Sequence, residues 1–279
     1  MSTINELLQG SIDIHIHFGP DYRVGRSVDG LMAARDARDA GMRAIVLKSH
    51  DYPTAGVAYH VQQVVEGIAV FGCVCLDSQV GGLNRDALDV AGKLGAKICW
   101  MPTHTAAFNM KQKGVAGKGI SLIDGSGKLV PEMKDIFGLV KQYDMILGTG
   151  HTSPEEKFAV VDGARAAGLE KIVVTHPLLG NVLNTDQMVQ LAGKGAYIEH
   201  CFGATMPGGH RMDPMAIVDA VRKVGAERTV LSTDFGQEQN PKPAEGFRVM
   251  IATLLKFGLT EKEMEIMVKK NPAKLLGLT

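Results

Sequence analysis

The chain has 279 residues, of which 45% are hydrophobic and 22% charged, and its formal net charge is zero. This length suits one large α/β barrel or two smaller domains. The balanced charge argues against a nucleic-acid partner or a membrane surface, and no apolar run approaches the roughly 20 residues that cross a bilayer. The segment Met1–Gly10 lacks the pattern of a signal peptide. We therefore expect a cytoplasmic protein that acts on a small molecule, either alone or as a homo-oligomer.

The positions of the four cysteines indicate a protein of a reducing compartment. All four lie in, or at the end of, apolar strand-like runs, and none forms a Cys-x-x-Cys pair. We expect them to be small buried hydrophobic residues rather than partners in disulfides. They are Cys73, Cys75, Cys99 and Cys201.

Eight short apolar runs rich in Val, Ile and Leu predict parallel β-strands that are covered on both faces. They are Ser11–His17, Ala44–His50, Ile68–Leu76, Ala96–Met101, Met145–His151, Lys171–His176, Ala196–His200 and Thr229–Asp234. Most strand starts are roughly 25–35 residues apart, the length of one strand–helix unit. The sequence therefore predicts an α/β protein with a single (β/α)8 TIM barrel over residues 1–279. An open doubly wound sheet is the alternative, but the first turn, Phe18–Arg26, lacks the G-x-G-x-x-G nucleotide loop.

Capping residues between these runs predict where helices begin and end. The first predicted helix is Leu31–Ala40, which begins after Ser27-Val28-Asp29 and ends at Gly41. A second begins at Ser153-Pro154-Glu155-Glu156 and ends at Gly168, and a third lies between Asp213-Pro214 and Gly225. The last is Met264–Lys270, which follows a capping box at Thr260–Glu263.

The interval after the fourth strand is longer than the others. Residues 103–131 predict an extended loop with a hairpin of Ile120–Ile123 and Lys128–Val130. Gly114, Gly117 and Gly119 make the earlier part of this loop a candidate lid.

Polar residues follow the strands at the end where a TIM barrel has its active site. Seven of the nine histidines lie at or just after a predicted strand end. In the first strand, Asp13-Ile14-His15-Ile16-His17, residues two apart point the same way, so His15 and His17 share one face. His60 and His210 fall in helix- or loop-like sequence, and we assign them no metal role.

The sequence has His-x-His on the first strand, His on the fifth and sixth, and Asp on the eighth. This ordered set resembles the metal-dependent amidohydrolase superfamily, in its compact barrel-only branch with phosphotriesterase-like and decarboxylase-like members. The tail Asn271–Gly277 resembles the closing helix of that superfamily. The resemblance implies a divalent metal, most simply zinc, with manganese or another transition metal as alternatives and with one or two ions. The implied ligands are His15, His17, His151, His176 and Asp234.

The resemblance also implies the catalytic roles. Asp234 would bind metal, accept a proton from water and deliver it to the leaving group. His176 or His151 would polarise the substrate carbonyl if the site holds one ion.

One position departs from the relatives. Two-metal members carry a carboxylated lysine or a glutamate at the end of the fourth strand, whereas Ala96–Met101 has neither there, since Lys97 lies near the strand start. Lys48, at the end of the second strand, is the best substitute. It would be a carboxylated bridge between two ions or a free cation that holds a substrate anion, so the number of ions stays open.

Candidate substrate contacts form a further group. Because Glu199 and His200 are adjacent on a strand, only one of them can face the site, and we favour His200. Cations after the first strand and in the long loop are either solvated surface or, together with Lys48, attract an anionic substrate. The residues assigned to substrate binding are His50, His104, His200 and Arg23.

The predicted function is hydrolysis of an ester, lactone, amide or phosphoester bond by metal-activated water. Two alternatives remain open at this point: metal-dependent decarboxylation of a small unsaturated acid on the same ligands, and a non-catalytic metal-binding barrel with a saturated coordination shell.

Overall fold

The computed structural model describes residues 3–209 and 211–278, and within them eight parallel strands pair in chain order. Backbone bonds between the segment after the last strand and the first strand close the ring: Asp234 N donates to His15 O (3.0 Å) and His17 N donates to Phe235 O (2.7 Å). The predicted (β/α)8 barrel is confirmed. The strands are β1 Ile12–His17, β2 Ala44–Lys48, β3 Ala69–Cys75, β4 Ile98–Trp100, β5 Ile146–Gly148, β6 Ile172–Val174, β7 Tyr197–Cys201 and β8 Thr229–Ser232.

Helices follow each strand and pack on the outside of the barrel. In chain order they are α1 Thr3–Leu8, α2 Gly30–Asp39, α3 Ala55–Val64, α4 Arg85–Lys93, α5 Ala107–Gln112, α6 Glu132–Gln142, α7 Pro154–Ala166, α8 Thr185–Gly193, α9 Pro214–Val224, α10 Pro243–Lys256, α11 Glu261–Glu265 and α12 Asn271–Leu276. None of the helices in the described ranges has the length and apolar character needed to cross a membrane.

The predicted helix caps are present. Asp29, Ser153, Asp213 and Thr260 each accept a backbone N–H of the first turn with the side chain, and Ser153 and Thr260 form full capping boxes. His210, which we assigned no metal role, lies outside the described residues.

The last predicted helix, Met264–Lys270, differs from the structure. The chain forms α11, then a π-helical turn over Ile266–Lys270, then α12. Asn271 N donates to Ile266 O, five residues back, and Pro272 has no N–H to continue an α-helical ladder.

Apolar side chains fill the barrel interior. Ile12, Val46, Trp100 and Val230 belong to this interior core, and α12 adds residues that close the end where the strands begin. All four cysteines are buried and free. The polar site therefore lies at the opposite end, where the strands finish.

The hairpin predicted in the loop after β4 is present in short form, and the short helix α5 precedes it. Ile123 forms an antiparallel bridge with Leu129, Asp124 N donates to Lys128 O at 2.8 Å, and Val130 N donates to Leu122 O at 3.0 Å. Glu156 of α7 accepts the backbone N–H of Leu122 at 2.8 Å, so a tertiary contact takes a group that a longer hairpin ladder would use.

Candidate metal centre

A β-bulge in β1 turns both histidines of the His-x-His motif into the barrel. Asp13 pairs with Ile45 and His17 pairs with Lys48, so four steps along β1 match three along β2. The extra residue breaks the strict alternation of side chains. Ile14 lies in the interior core, and His15 and His17 beyond the bulge also face inward. Without the bulge, a strand with Ile14 inside would place both imidazoles outside.

His15, His17 and Asp234 form a compact group of potential ligands. Asp234 Oδ1 lies 3.0 Å from His17 Nε2 and 3.3 Å from His15 Nε2. Asp234 has a left-handed backbone, with φ of 56°, a strained conformation common at functional sites. One donor atom from each of the three residues lies within 4.8 Å of the other two. Two imidazole nitrogens and a carboxylate oxygen are ligands that zinc takes, so the residues fit a divalent ion.

His151 and His176 form a second pair beside this group. Their Nε2 atoms are 3.1 Å apart, and the ring centre of His176 lies 5.8 Å from that of His15. The structure thus brings together the five residues that the sequence proposed as ligands. It places them as a triad and a neighbouring pair.

Burial keeps the imidazoles of His17, His151 and His176 neutral at neutral pH. Loss of solvation lowers the pKa of His17 to about 3 and that of His176 to about 4, and it places the pKa of His151 well below its ordinary value. Burial opposes ionisation of Asp234, but neighbouring His15 and the hydrogen bond from His17 outweigh it and hold the pKa of this carboxyl below its usual range. Neutral imidazole and ionised carboxylate are the forms that bind metal.

Glu199, which the sequence analysis passed over in favour of His200, contacts this group. Its Oε1 lies 3.1 Å from His15 Nδ1, and both side chains are fully buried. Carboxylates commonly hold the second nitrogen of a ligand histidine in this way, fixing its tautomer and ring orientation. Burial of a charged glutamate in an apolar strand costs free energy unless a specific partner compensates for it. A glutamate within this apolar run was therefore the signal in the sequence that pointed to Glu199.

His200 faces the other side of β7. Both of its ring nitrogens are buried without a hydrogen-bond partner in the described part of the chain, and its side chain does not line the site cavity. The alternation of β7 decides this, because Glu199 takes the inward position.

Lys48 lies at the centre of the site. It is 1% exposed, and its Nζ is 3.0 Å from His15 Nε2 and 4.8 Å from the centre of the Trp100 ring. The ammonium group therefore bonds the nitrogen that faces Asp234. An ion bound at His15 Nε2 requires Lys48 either to turn away or to lose its positive charge by carboxylation.

A buried chain of hydrogen bonds orients His50. Asp77 accepts hydrogen bonds from the backbone N–H and the hydroxyl of both Thr103 and Thr105. Because the Thr103 hydroxyl donates its hydrogen to Asp77, its oxygen accepts one from His50 Nδ1, 2.6 Å away. His50 consequently carries its proton on Nδ1 and keeps Nε2 as an acceptor.

The site opens into a cavity of about 710 Å³. Arg23 does not line this cavity, because its guanidinium bonds Asp51, with Nε 3.0 Å from Oδ1. Arg26 and Lys113 line it instead. The sequence-predicted site residues that line it are His17, Lys48, His50, His104, His151, His176 and Asp234.

The sequence matches a family model over residues 10–199, more than half of the chain, and that model is described as a family of unknown function, DUF6282. The chain belongs to this family. A second model, the phosphotriesterase family, matches this DUF6282 member over residues 145–276. No curated protein matches the sequence.

Solved structures with the same barrel include three enzymes or enzyme-like proteins. A probable dipeptidase from Pseudomonas aeruginosa is 15% identical, with 98% of this chain and 96% of that chain covered and a TM-score of 0.66. A putative 2-pyrone-4,6-dicarboxylic acid hydrolase from Pseudomonas putida is 16% identical, with 96% and 97% covered and a TM-score of 0.64. A phosphotriesterase homology protein from Escherichia coli, complexed with phosphate in its active site, is 16% identical, with 95% and 98% covered and a TM-score of 0.60.

At these identities the likeness to the solved structures is one of fold. The phosphotriesterase-family match over residues 145–276 agrees with the predicted resemblance of this DUF6282 protein to the metal-dependent amidohydrolase superfamily.

Proposed function

We propose that this protein hydrolyses an ester, lactone, amide or phosphoester bond of a small anionic substrate at a divalent metal centre. The observation that carries the proposal is the convergence of His15, His17 and Asp234 with a second histidine pair on an open cavity. The phosphotriesterase-family match supports the reaction class.

The chain's own residues have distinct tasks in this proposal. His15, His17 and Asp234 would hold the ion, most simply zinc, and His151 and His176 would hold a second ion or leave His176 free to polarise a carbonyl. When bound, the ion lowers the pKa of a water molecule toward about 7 and makes hydroxide available.

Asp234 handles the proton. Its carboxylate is ionised at neutral pH and lines the cavity, so it is able to take a proton from the attacking water and pass it to the leaving group. His50 presents Nε2 as an acceptor, and Lys48 as a free ammonium would face substrate anions.

Metal analysis combined with activity measurements tests the proposal. Elemental analysis should find a divalent transition metal in the purified wild-type protein and much less in Asp234→Asn. Hydrolysis of a panel of lactones, dipeptides, carboxylate esters and phosphate esters should fall by about 10²–10⁴-fold in that variant. Asp219→Asn, on the exposed face of α9, is the matched control and should keep both metal and activity.

The alternatives give different results. Release of carbon dioxide from unsaturated acids without uptake of water would favour the decarboxylase, and a metal with no exchangeable coordination position would favour a non-catalytic barrel. Hydrolysis that persists after complete metal removal would refute the proposal.

A further inference from the structure

Arg26, in the segment after β1, is a buried guanidinium with one nitrogen unused. Nε and Nη2 bond Asp21 Oδ2 at 3.0 and 2.5 Å, and the Arg26 side chain is 6% exposed. The third nitrogen, Nη1, is buried and has no hydrogen-bond partner within residues 3–209 and 211–278. A buried charged donor that stays unpaired is costly, so an orphan of this kind calls for a ligand.

Arg26 lies on the wall of the reaction cavity. Arg26 lines the cavity together with His17 and Asp234. Its backbone forms an antiparallel bridge with Gln237, and Ser27 N donates to Gly236 O at 2.8 Å. These bonds fasten the segment after β1 to the segment after Asp234.

Asn240 adds a complementary group on the same wall. It lines the cavity, its Nδ2 donates to Gln237 Oε1 at 2.8 Å, and its Oδ1 is buried with no partner among the described residues. The wall thus carries an unused donor from Arg26 and an unused acceptor from Asn240.

We infer that Arg26 is an oxyanion-binding residue beside the metal centre. Its Nη1 donates to an oxygen of a carboxylate or phosphoryl group of the substrate, and Asn240 Oδ1 accepts from a hydroxyl or amino group next to it. The inference rests on the proposed function and adds to it that the substrate carries an oxyanion near the bond that is cleaved. Guanidinium suits this task because its charge is permanent and its donors are directional.

Arg23 is the natural comparison. It lies three residues earlier, and both its Nε and Nη2 are 3.0 Å from Asp51 Oδ1. It does not line the cavity. The sequence alone favoured Arg23 as the substrate contact, whereas the free donor belongs to Arg26.

Calorimetric titration with inorganic phosphate and, separately, with succinate tests the inference in metal-loaded and metal-free protein. Arg26→Gln should weaken binding by at least about tenfold in both metal states, as expected for loss of a charge-assisted hydrogen bond. Arg23→Gln should leave the affinity within about twofold. Binding of phosphate alone would assign the subsite to phosphoryl groups, and binding of succinate alone would assign it to carboxylates.

A double variant guards against misfolding. Arg26→Gln with Asp21→Asn removes both partners of the ion pair, so no buried carboxylate is left unpaired, and it should fold like the wild type by circular dichroism and still lose anion binding. Equal affinities in the wild type and Arg26→Gln, or anion binding that depends on the metal alone, would overturn the inference. Metal content is measured in parallel to separate the two proposals. Anion binding through Arg26 in a protein that binds no metal would refute the proposed function but support the anion subsite.

Discussion

At the scale of single residues, the two ring nitrogens of His15 have separate partners. Nδ1 faces Glu199 at 3.1 Å, while Nε2 faces Asp234 and Lys48. A carboxylate on Nδ1 places the proton there and leaves Nε2 available to a metal ion. Glu199 would therefore act on a bound ion through His15.

Glu199→Gln should weaken metal binding about 10–100-fold, because the amide keeps the size of the side chain but removes the charge that orients His15. Titration of the metal-free protein against a competing chelator measures this affinity. Glu170→Gln, at an exposed position before β6, should bind metal like the wild type. Equal affinities for all three proteins would contradict the role of Glu199.

The number of metal ions that the site can hold would depend on the charge state of Lys48. Two ions beside an unmodified ammonium would concentrate positive charge, whereas carboxylation would supply a bridging anion. We predict either a carboxylated Lys48 with two ions, or a free Lys48 with one ion and an anionic group nearby, for which Glu199 is placed. Lys48→Ala should halve metal content in the first case and mainly raise KM in the second. Two fully occupied ions beside an unmodified, uncompensated Lys48 would refute the linkage.

His200→Leu should stabilise the protein, most strongly in acid. Burial lowers the pKa of His200 to about 4, below the value of about 6.5 expected for an unfolded chain. The wild type therefore loses stability as the pH falls from about 6.5 through about 4, and the variant lacks this loss. The gain should be about 1 kcal/mol larger at pH of about 5.5 than at about 7.5 in urea unfolding. His60→Leu, at an exposed position of α3, should show no such pH-dependent gain, and a gain of equal size would contradict the prediction.

At the scale of elements, two irregular segments position the site. The bulge in β1 turns His15 and His17 inward, and Asp77 fastens the loop after β4 to the end of β3 through Thr103 and Thr105. In the same loop, Gly114, Gly117 and Gly119 have φ of 63°, 116° and 62°, a region that favours glycine. The wall of the cavity near α5 thus depends on tertiary bonds and on glycine in addition to the short hairpin that follows α5.

Thr103→Val should lower the free energy of unfolding by about 1–3 kcal/mol, because it leaves Asp77 and His50 Nδ1 without their shared hydroxyl partner. Thr103→Ser keeps that hydroxyl and should lose markedly less stability. Urea unfolding of the metal-free proteins measures both effects. If valine and serine are equally tolerated, the hydrogen-bond chain does not hold the loop.

At the scale of the whole molecule, the apolar core fills the barrel interior from the end where the strands begin up to the polar site at their carboxyl ends. Trp100 and Val230 lie in the interior core, and Leu275 of α12 closes it at the end where the strands begin. The potential ligands lie beyond this core, at the carboxyl ends of the strands. The fold therefore has its own source of stability, unlike a zinc finger.

Metal removal should abolish activity and leave the fold. Chelation should keep the far-ultraviolet circular dichroism spectrum of the barrel, with stability lowered only by the lost binding free energy of the ion. Restoring zinc should restore activity. Wholesale unfolding on chelation would show that the metal is structural.

Much of this arrangement follows from local sequence. Eight apolar runs with regular spacing predict the barrel, and side-chain caps such as Ser153 and Thr260 set helix starts, because strand and helix periodicity and capping act over a few residues. The positions of His15, His17, His151, His176 and Asp234 at strand ends place them on one rim once the barrel closes.

Contacts between distant segments decided the rest. The bulge at His15 exists only in the register between β1 and β2, and the choice of Glu199 over His200 depends on which face of β7 meets His15. Arg23 and Arg26 look alike in sequence. In the structure the Arg23 guanidinium bonds Asp51, whereas the Arg26 guanidinium bonds Asp21 and keeps one nitrogen without a partner among the described residues. Local sequence sets which residue types stand near a strand end, whereas the direction of each side chain and the pairing of each charge depend on neighbours that only the closed barrel brings together.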